Sequence, residues 1–177
     1  MYNVKQEKMI ITGPSGSGKD FLRRELIKLG LKYSPKFTTR PQRINEKVGE
    51  DYDFIDHNLY VQLHENKKVK TCQSFVINGV NWYYGLTTEN WENNQLFIMT
   101  PNEIEQLSED ELKSCFVVFL NIDKDTRQNR LLERNDNNDS IERRIKADSE
   151  DFKNFRKYDL SITDPEFEAE WIYDLMN

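Results

Sequence analysis

The sequence predicts an α/β protein of three layers, a parallel sheet covered by helices on both faces, and three observations predict it. Short continuous apolar runs, Met9-Ile10-Ile11 and the stretch from Cys115 to Ile122, have the composition of strands buried on both sides. Segments with helical spacing of apolar residues alternate with them. A glycine-rich turn, GPSGSGKD from Gly13 to Asp20, joins the first apolar run to the first helical segment. Such alternation implies right-handed crossovers between parallel neighbours.

In chain order, residues 8–12 read as the first strand and residues 20–29 as a helix ending near Gly30. Residues 96–99 and 115–122 are further core strands. Pro101 opens a helical segment to about Leu107, because proline fits a first helical position. Residues 124–134 and 140–158 are two charged helices, residues 160–163 a final strand, and a terminal helix follows Pro165. Between Leu31 and Thr88 the pattern changes. β-type runs at 36–39, 52–55, 69–72, 75–77 and 80–84 surround one helix at about 58–66, which describes a mixed α/β insertion. The polar run Asn135-Asp136-Asn137-Asn138-Asp139 separates two arginine-bearing helices and reads as the tip of a moving lid.

At 177 residues the chain is of one-domain size. Its net charge of −6 argues against a general nucleic-acid or anionic-membrane surface, so any anion must be gathered locally. No apolar stretch approaches the roughly 20 residues of a membrane span, and no secretory signal opens the chain, so the cytoplasm is the expected compartment. The two cysteines, Cys72 and Cys115, are too few for a disulfide framework or a zinc site, and Cys115 is most simply a core residue. His57 and His64, seven apart, have no companion ligand and are expected simply to pack or to lie exposed.

The Gly13–Asp20 turn carries chemistry. A strand feeding a glycine-rich turn into a helix N-terminus converges backbone N–H groups and the positive end of the helix dipole on one point, and Lys19 adds a cation there. An anion with several phosphates fits that geometry. Three of the seven glycines, Gly13, Gly16 and Gly18, fall in this turn. After the lysine stands Asp20 rather than Ser or Thr; a carboxylate is also a hard oxygen donor, so Asp20 is a candidate Mg²⁺ ligand, directly or through water.

In the insertion, Thr38-Thr39-Arg40-Pro41-Gln42-Arg43 is followed by Glu46, Gly49, Asp51, Tyr52 and Phe54, and then by Tyr83-Tyr84-Gly85. Two arginines on a proline-stiffened segment with tyrosines nearby can clamp a phosphate by charge-assisted hydrogen bonds. On these residues the chain resembles the guanylate kinase family over nearly its whole length. The pattern TTR-x-x-R-x-x-E-x-x-G-x-DY-x-F runs from Thr38 to Phe54 without a gap, and YYG and the arginine-bearing lid segments follow it.

The resemblance implies one domain, 1–177, with a three-layer P-loop kinase core of parallel sheet (1–31, 89–133 and 147–177), a nucleoside-monophosphate-binding insertion (32–88) and a helical lid (134–146). It implies ATP-dependent phosphorylation of a nucleoside monophosphate, GMP or dGMP, with Mg²⁺. ATP would lie on Gly13, Pro14, Ser15, Gly16, Ser17, Gly18, Lys19, Asp20, Arg130 and Arg134. The acceptor phosphate would lie on Arg40, Arg43, Tyr52 and Tyr84. Lys19, Arg40, Arg43, Arg134 and Arg144 would carry catalysis. The family typically reads guanine with a Glu, a Ser and an Asp; the aligned positions are Thr71, Leu86 and about Thr100, and a Ser before TTR is replaced by Lys36. Thr71, Gln73, Ser74 and Thr100 are therefore the base-binding candidates. The expected partners are small-molecule nucleotides, with no nucleic acid or membrane, and the protein is expected to be a monomer or homodimer. Two alternatives stand beside this reading. One is a kinase for another deoxynucleoside monophosphate, modified or not, or for ribose 1,5-bisphosphate. The other is a non-catalytic binding module of the same fold.

Overall fold

The computed structural model describes residues 6–77, 79–133 and 140–176. Along the chain run β1 (Lys8–Thr12), α1 (Lys19–Lys28), β2 (Lys36–Thr38), β3 (Tyr52–Phe54), α2 (His57–Glu65), β4 (Val69–Ile77), β5 (Val80–Thr87) and α3 (Thr88–Asn93). Then follow β6 (Leu96–Ile98), α4 (Pro101–Glu105), α5 (Glu109–Lys113), β7 (Cys115–Leu120), α6 (Lys124–Glu133), α7 (Ile141–Phe152), β8 (Leu160–Ile162) and α8 (Ala169–Met176). They form two compact units, residues 1–31 with 96–177, and residues 32–95.

In the first unit the sheet order is β6-β1-β7-β8 and every pairing is parallel. Met9, Ile10, Ile11 and Thr12 are all fully buried. Successive strand residues point to opposite faces, so both faces are covered, as the sequence predicts. Helix α1 packs on β1 and β6 and against α8, while α4 and α6 pack on α7. Cys115 is buried in β7, and burial pushes its thiol up to about 11, which fits a core residue rather than a reactive one.

Two elements of this unit differ from expectation. The helix expected over 140–158 stops at Phe152, because Phe155 and Tyr158 turn back onto Phe119, with ring centroids 5.5 and 5.4 Å away. Continued as a helix, the chain would carry Tyr158 about 9 Å along the axis from Phe152, away from that ring. The short helix α5 was not expected. Its signal was present: Ser108 and Glu111 form a reciprocal capping box, and S-x-x-E is the sequence mark of one.

The second unit holds a sheet of order β3-β2-β5-β4, parallel between β2 and β3 and antiparallel elsewhere, the mixed insertion that the sequence predicts. The runs at 69–72 and 75–77 are one continuous strand, since Gln73 and Ser74 pair with Tyr84 and Tyr83 in an open hairpin where polar side chains cost little. Helix α3 begins where β5 ends, with the Thr87 hydroxyl accepting the Asn90 N–H, and it packs on β4 and β5 with Trp91 buried. Residues 89–95 thus cluster with the insertion, not with the core to which the sequence division assigned them.

Candidate active site

In the first unit, β1 ends where the loop Gly13-Pro14-Ser15-Gly16-Ser17-Gly18 begins, and α1 starts at Lys19. Gly16 and Gly18 have φ of 79° and 99°, the left-handed region that glycine enters without strain. A side chain at Gly16 would also strike the Arg127 backbone, with its Cβ 2.7 Å from the Arg127 carbonyl oxygen. The Lys19 ammonium donates to the Gly13 and Pro14 carbonyls at 2.6 and 2.9 Å, so it lies across the loop it would serve. Asp20 sits in the first turn of α1, about half exposed, 3.8 Å from Arg23. A carboxylate so placed suits a Mg²⁺ ion held chiefly by nucleotide phosphates, which needs only one or two protein oxygens.

Two helices support the loop from outside. Arg130 of α6 donates to the Gly16 carbonyl at 3.4 Å and to the Pro165 carbonyl at 2.9 Å. It lines a cavity of about 630 Å³ with Gly18, Phe21, Pro165 and Phe167. Arg127 and Asp148 also reach the loop, and the sequence reading passed over both. On charged helices they look like solvated residues, and only their burial, Arg127 at 7% exposure, distinguishes them.

In the second unit, the arginine-tyrosine cluster assembles on one sheet face. The Arg40 guanidinium lies 5.1 Å from the Tyr52 ring centroid and 5.6 Å from that of Phe54, and Tyr52 meets Tyr84 edge-on at 5.9 Å. Glu46 orients Arg40 through a two-pronged ion pair, one bond of 2.7 Å from Nη1 and a second from Nη2, and it accepts the Arg43 backbone N–H at 2.9 Å. The Arg43 side chain is exposed beside this pair. Arg40, Tyr52 and Tyr84 are therefore together, with Arg43 joined to them through Glu46.

Burial alone would raise the Glu46 carboxyl; the hydrogen bonds from Arg40 and Arg43, with both positive charges, outweigh it and hold the group below its ordinary value. A depressed folded-state pKa gives stability that is complete above the unfolded value of about 4.3 and is lost as pH falls through the folded one. Thermal unfolding followed from about pH 7 to about pH 3 should show this contribution disappear below about pH 4. Glu46→Gln should flatten that limb of the profile.

The base-binding candidates separate. Thr71 and Gln73 pair with Leu86 and Tyr84 and share the Tyr84 face, whereas Ser74 pairs with Tyr83 on the opposite face, where Tyr83 stacks on Tyr60 of α2 at 4.1 Å. Thr71 is 1% exposed, and its hydroxyl has no hydrogen-bond partner among the described residues; Gln73 is half-buried. Thr100, in the other unit, caps α4: its hydroxyl accepts the Glu103 N–H, and Glu103 accepts the Thr100 N–H at 2.8 Å. His57 and His64 are exposed, each with its ring about 6 Å from the Tyr60 ring, 6.0 and 5.9 Å between centroids. Of the lid candidates, Arg144 is half-buried on α7, and Arg134 with the 135–139 turn lies outside the described residues.

The family model described as Guanylate kinase matches residues 5–175. A guanylate kinase from Nostoc sp. is 31% identical over 170 residues, covering 91% of this chain and 83% of the relative. One from Streptococcus pyogenes is 31% identical over 169 residues, covering 89% and 78%. Among solved structures, a guanylate kinase from Anaplasma phagocytophilum superposes with a TM-score of 0.70 at 20% identity, over 98% of this chain and 85% of that one. That likeness gives the α/β P-loop kinase fold. A family match spanning all but the ends of the chain takes in both the loop and the arginine-tyrosine cluster, and the chain belongs to the guanylate kinase family of nucleoside monophosphate kinases.

Proposed function

We infer that the protein transfers the terminal phosphoryl group of ATP to a nucleoside monophosphate, GMP or dGMP, giving ADP and the diphosphate. The single observation that supports this most is an intact phosphate loop, with Lys19 lying across it and glycines in the left-handed region, in a chain of this family. A binding module has no need of that lysine.

In this reading the loop amides and Lys19 hold the ATP phosphates, and Arg130 and the cavity beside Gly18 take the rest of the donor. Arg40, Arg43, Tyr52 and Tyr84 hold the acceptor phosphate, with Gln73 and Thr71 on the same face nearest its base. Mg²⁺, when bound, offsets charge on the phosphates, and Asp20 is the residue that would hold it. Phosphoryl transfer spreads charge over equatorial oxygens, so the remaining work is positioning and charge stabilisation, with no protein nucleophile. Arg144 and Arg134 supply cations from the lid; an arginine so used contributes about 10³ to 10⁵ in rate in related chemistry. The setting is the cytoplasm, and the protein acts as a monomer or homodimer on small-molecule nucleotides. Among the described residues no helix is long and apolar enough to cross a membrane.

The test is ADP release with each ribo- and deoxynucleoside monophosphate and with ribose 1,5-bisphosphate as acceptor. GMP and dGMP should give the highest kcat/KM. Turnover with another acceptor and none with these two would transfer the assignment to that acceptor, an outcome made concrete by Leu86, apolar and 1% exposed where a guanine-reading hydroxyl would stand.

A further inference from the structure

Two charges that the kinase reading leaves unused, one buried and one partly buried, converge on one residue of the phosphate loop. Asp148, on α7, accepts the Ser15 backbone N–H at 2.8 Å. Arg127, on α6, donates through Nη1 to the Ser15 carbonyl at 3.3 Å and through Nε to the Ile122 carbonyl at 3.0 Å, and its Nη1 lies 3.8 Å from the same Asp148 oxygen. The side chains are 9% and 16% exposed, so neither is a solvated surface charge.

The N–H and C=O of Ser15 belong to successive peptide planes. Pinning both, one by a carboxylate and one by a guanidinium, fixes the backbone of Ser15 and with it the approach to Gly16, which itself rests against the Arg127 backbone. A loop that binds phosphate through backbone N–H groups gains affinity when those groups are oriented in advance. A lone carboxylate here would repel a triphosphate; Arg127 balances it. Asp148 also lies four residues after Arg144, one turn along α7 and on the same helix face. The bond to Ser15 therefore fixes α7 against the loop at the turn next to the lid arginine.

We propose that Asp148, paired with Arg127, is a positioning residue for the phosphate loop: by holding Ser15 it orders the loop for ATP and sets where α7 presents Arg144. The proposal rests on the loop being the ATP site.

The experiment compares wild type, Asp148→Ala and Asp148→Asn by calorimetric titration with ATP and Mg²⁺ in the absence of acceptor, and by steady-state kinetics with each substrate varied. Loss of one charge-assisted hydrogen bond should weaken ATP binding about tenfold in Asp148→Ala, raise the KM for ATP and lower kcat, and leave the KM for the acceptor within about twofold. Asp148→Asn still offers an oxygen to the Ser15 N–H and should recover most of the ATP affinity. ATP binding by Asp148→Ala at wild-type strength would overturn the proposal. So would equal impairment of ATP and acceptor binding in both variants with a lowered Tm, the mark of a merely structural residue. Wild type that binds no ATP would overturn the kinase reading itself, a result distinct from either.

Discussion

Replacing Lys19 with alanine is expected to lower kcat by about 10² to 10³, the usual cost of removing one donor from the charge that develops during reaction. Its ammonium lies across the loop, on the Gly13 and Pro14 carbonyls, where a phosphate chain resting on the loop amides would meet it. The ammonium is only partly buried in that contact, so water can enter in its place and stability should fall by no more than about 1 kcal/mol. Lys19→Arg should rescue poorly, because a planar fork cannot take the place of a compact ammonium in so short a span. Turnover at saturating substrates and thermal unfolding, measured on the same preparations, separate the two effects. Wild-type turnover in Lys19→Ala would remove the loop from the mechanism.

Arg40→Ala should damage both stability and acceptor binding, for different reasons. Glu46 would keep its charge at 16% side-chain exposure after losing its two-pronged partner, and the Tyr52 and Phe54 rings would lose the guanidinium beside them. Breaking a buried pair by removing one member costs about 3 to 5 kcal/mol, and the remaining exposure of Glu46 puts this case near the lower limit, about 3 kcal/mol. The KM for the acceptor should rise about 10²-fold from the lost charge-assisted bonds to its phosphate. Adding Glu46→Gln to Arg40→Ala removes the stranded charge, so denaturant unfolding should show stability partly recovered while the acceptor KM stays high. Recovery of both together would mean that Arg40 acts only through folding.

Much of the fold was legible because local signals agreed with the tertiary outcome. The apolar run before Gly13, the proline at 101 and the glycine after α1 each mark an element boundary through dihedral preference or burial on both faces. Where the expectation failed, a distant partner had overridden the local pattern. Phe119 ends α7 by drawing in Phe155 and Tyr158, β5 joins two β-type runs into β4, and α3 belongs with the strands it covers.

The candidate site divides in the same way. Sequence alone located the glycine-rich loop and the arginine-tyrosine set, because both lie within short stretches where residue type and spacing fix which backbone and side-chain groups converge. Only the tertiary structure decided which charges support them. Asp148 lies 133 residues from Ser15 in the chain, and its spacing on a charged helix is that of a solvated residue. That hydrogen bond depends on the packing of α6 on α7, which brings the carboxylate to the loop. Tertiary structure likewise decided which base candidates lie beside Tyr84, since the β4–β5 register sets Gln73 opposite it and Ser74 opposite Tyr83. Register is a relation between strands, and one strand read by itself does not contain it.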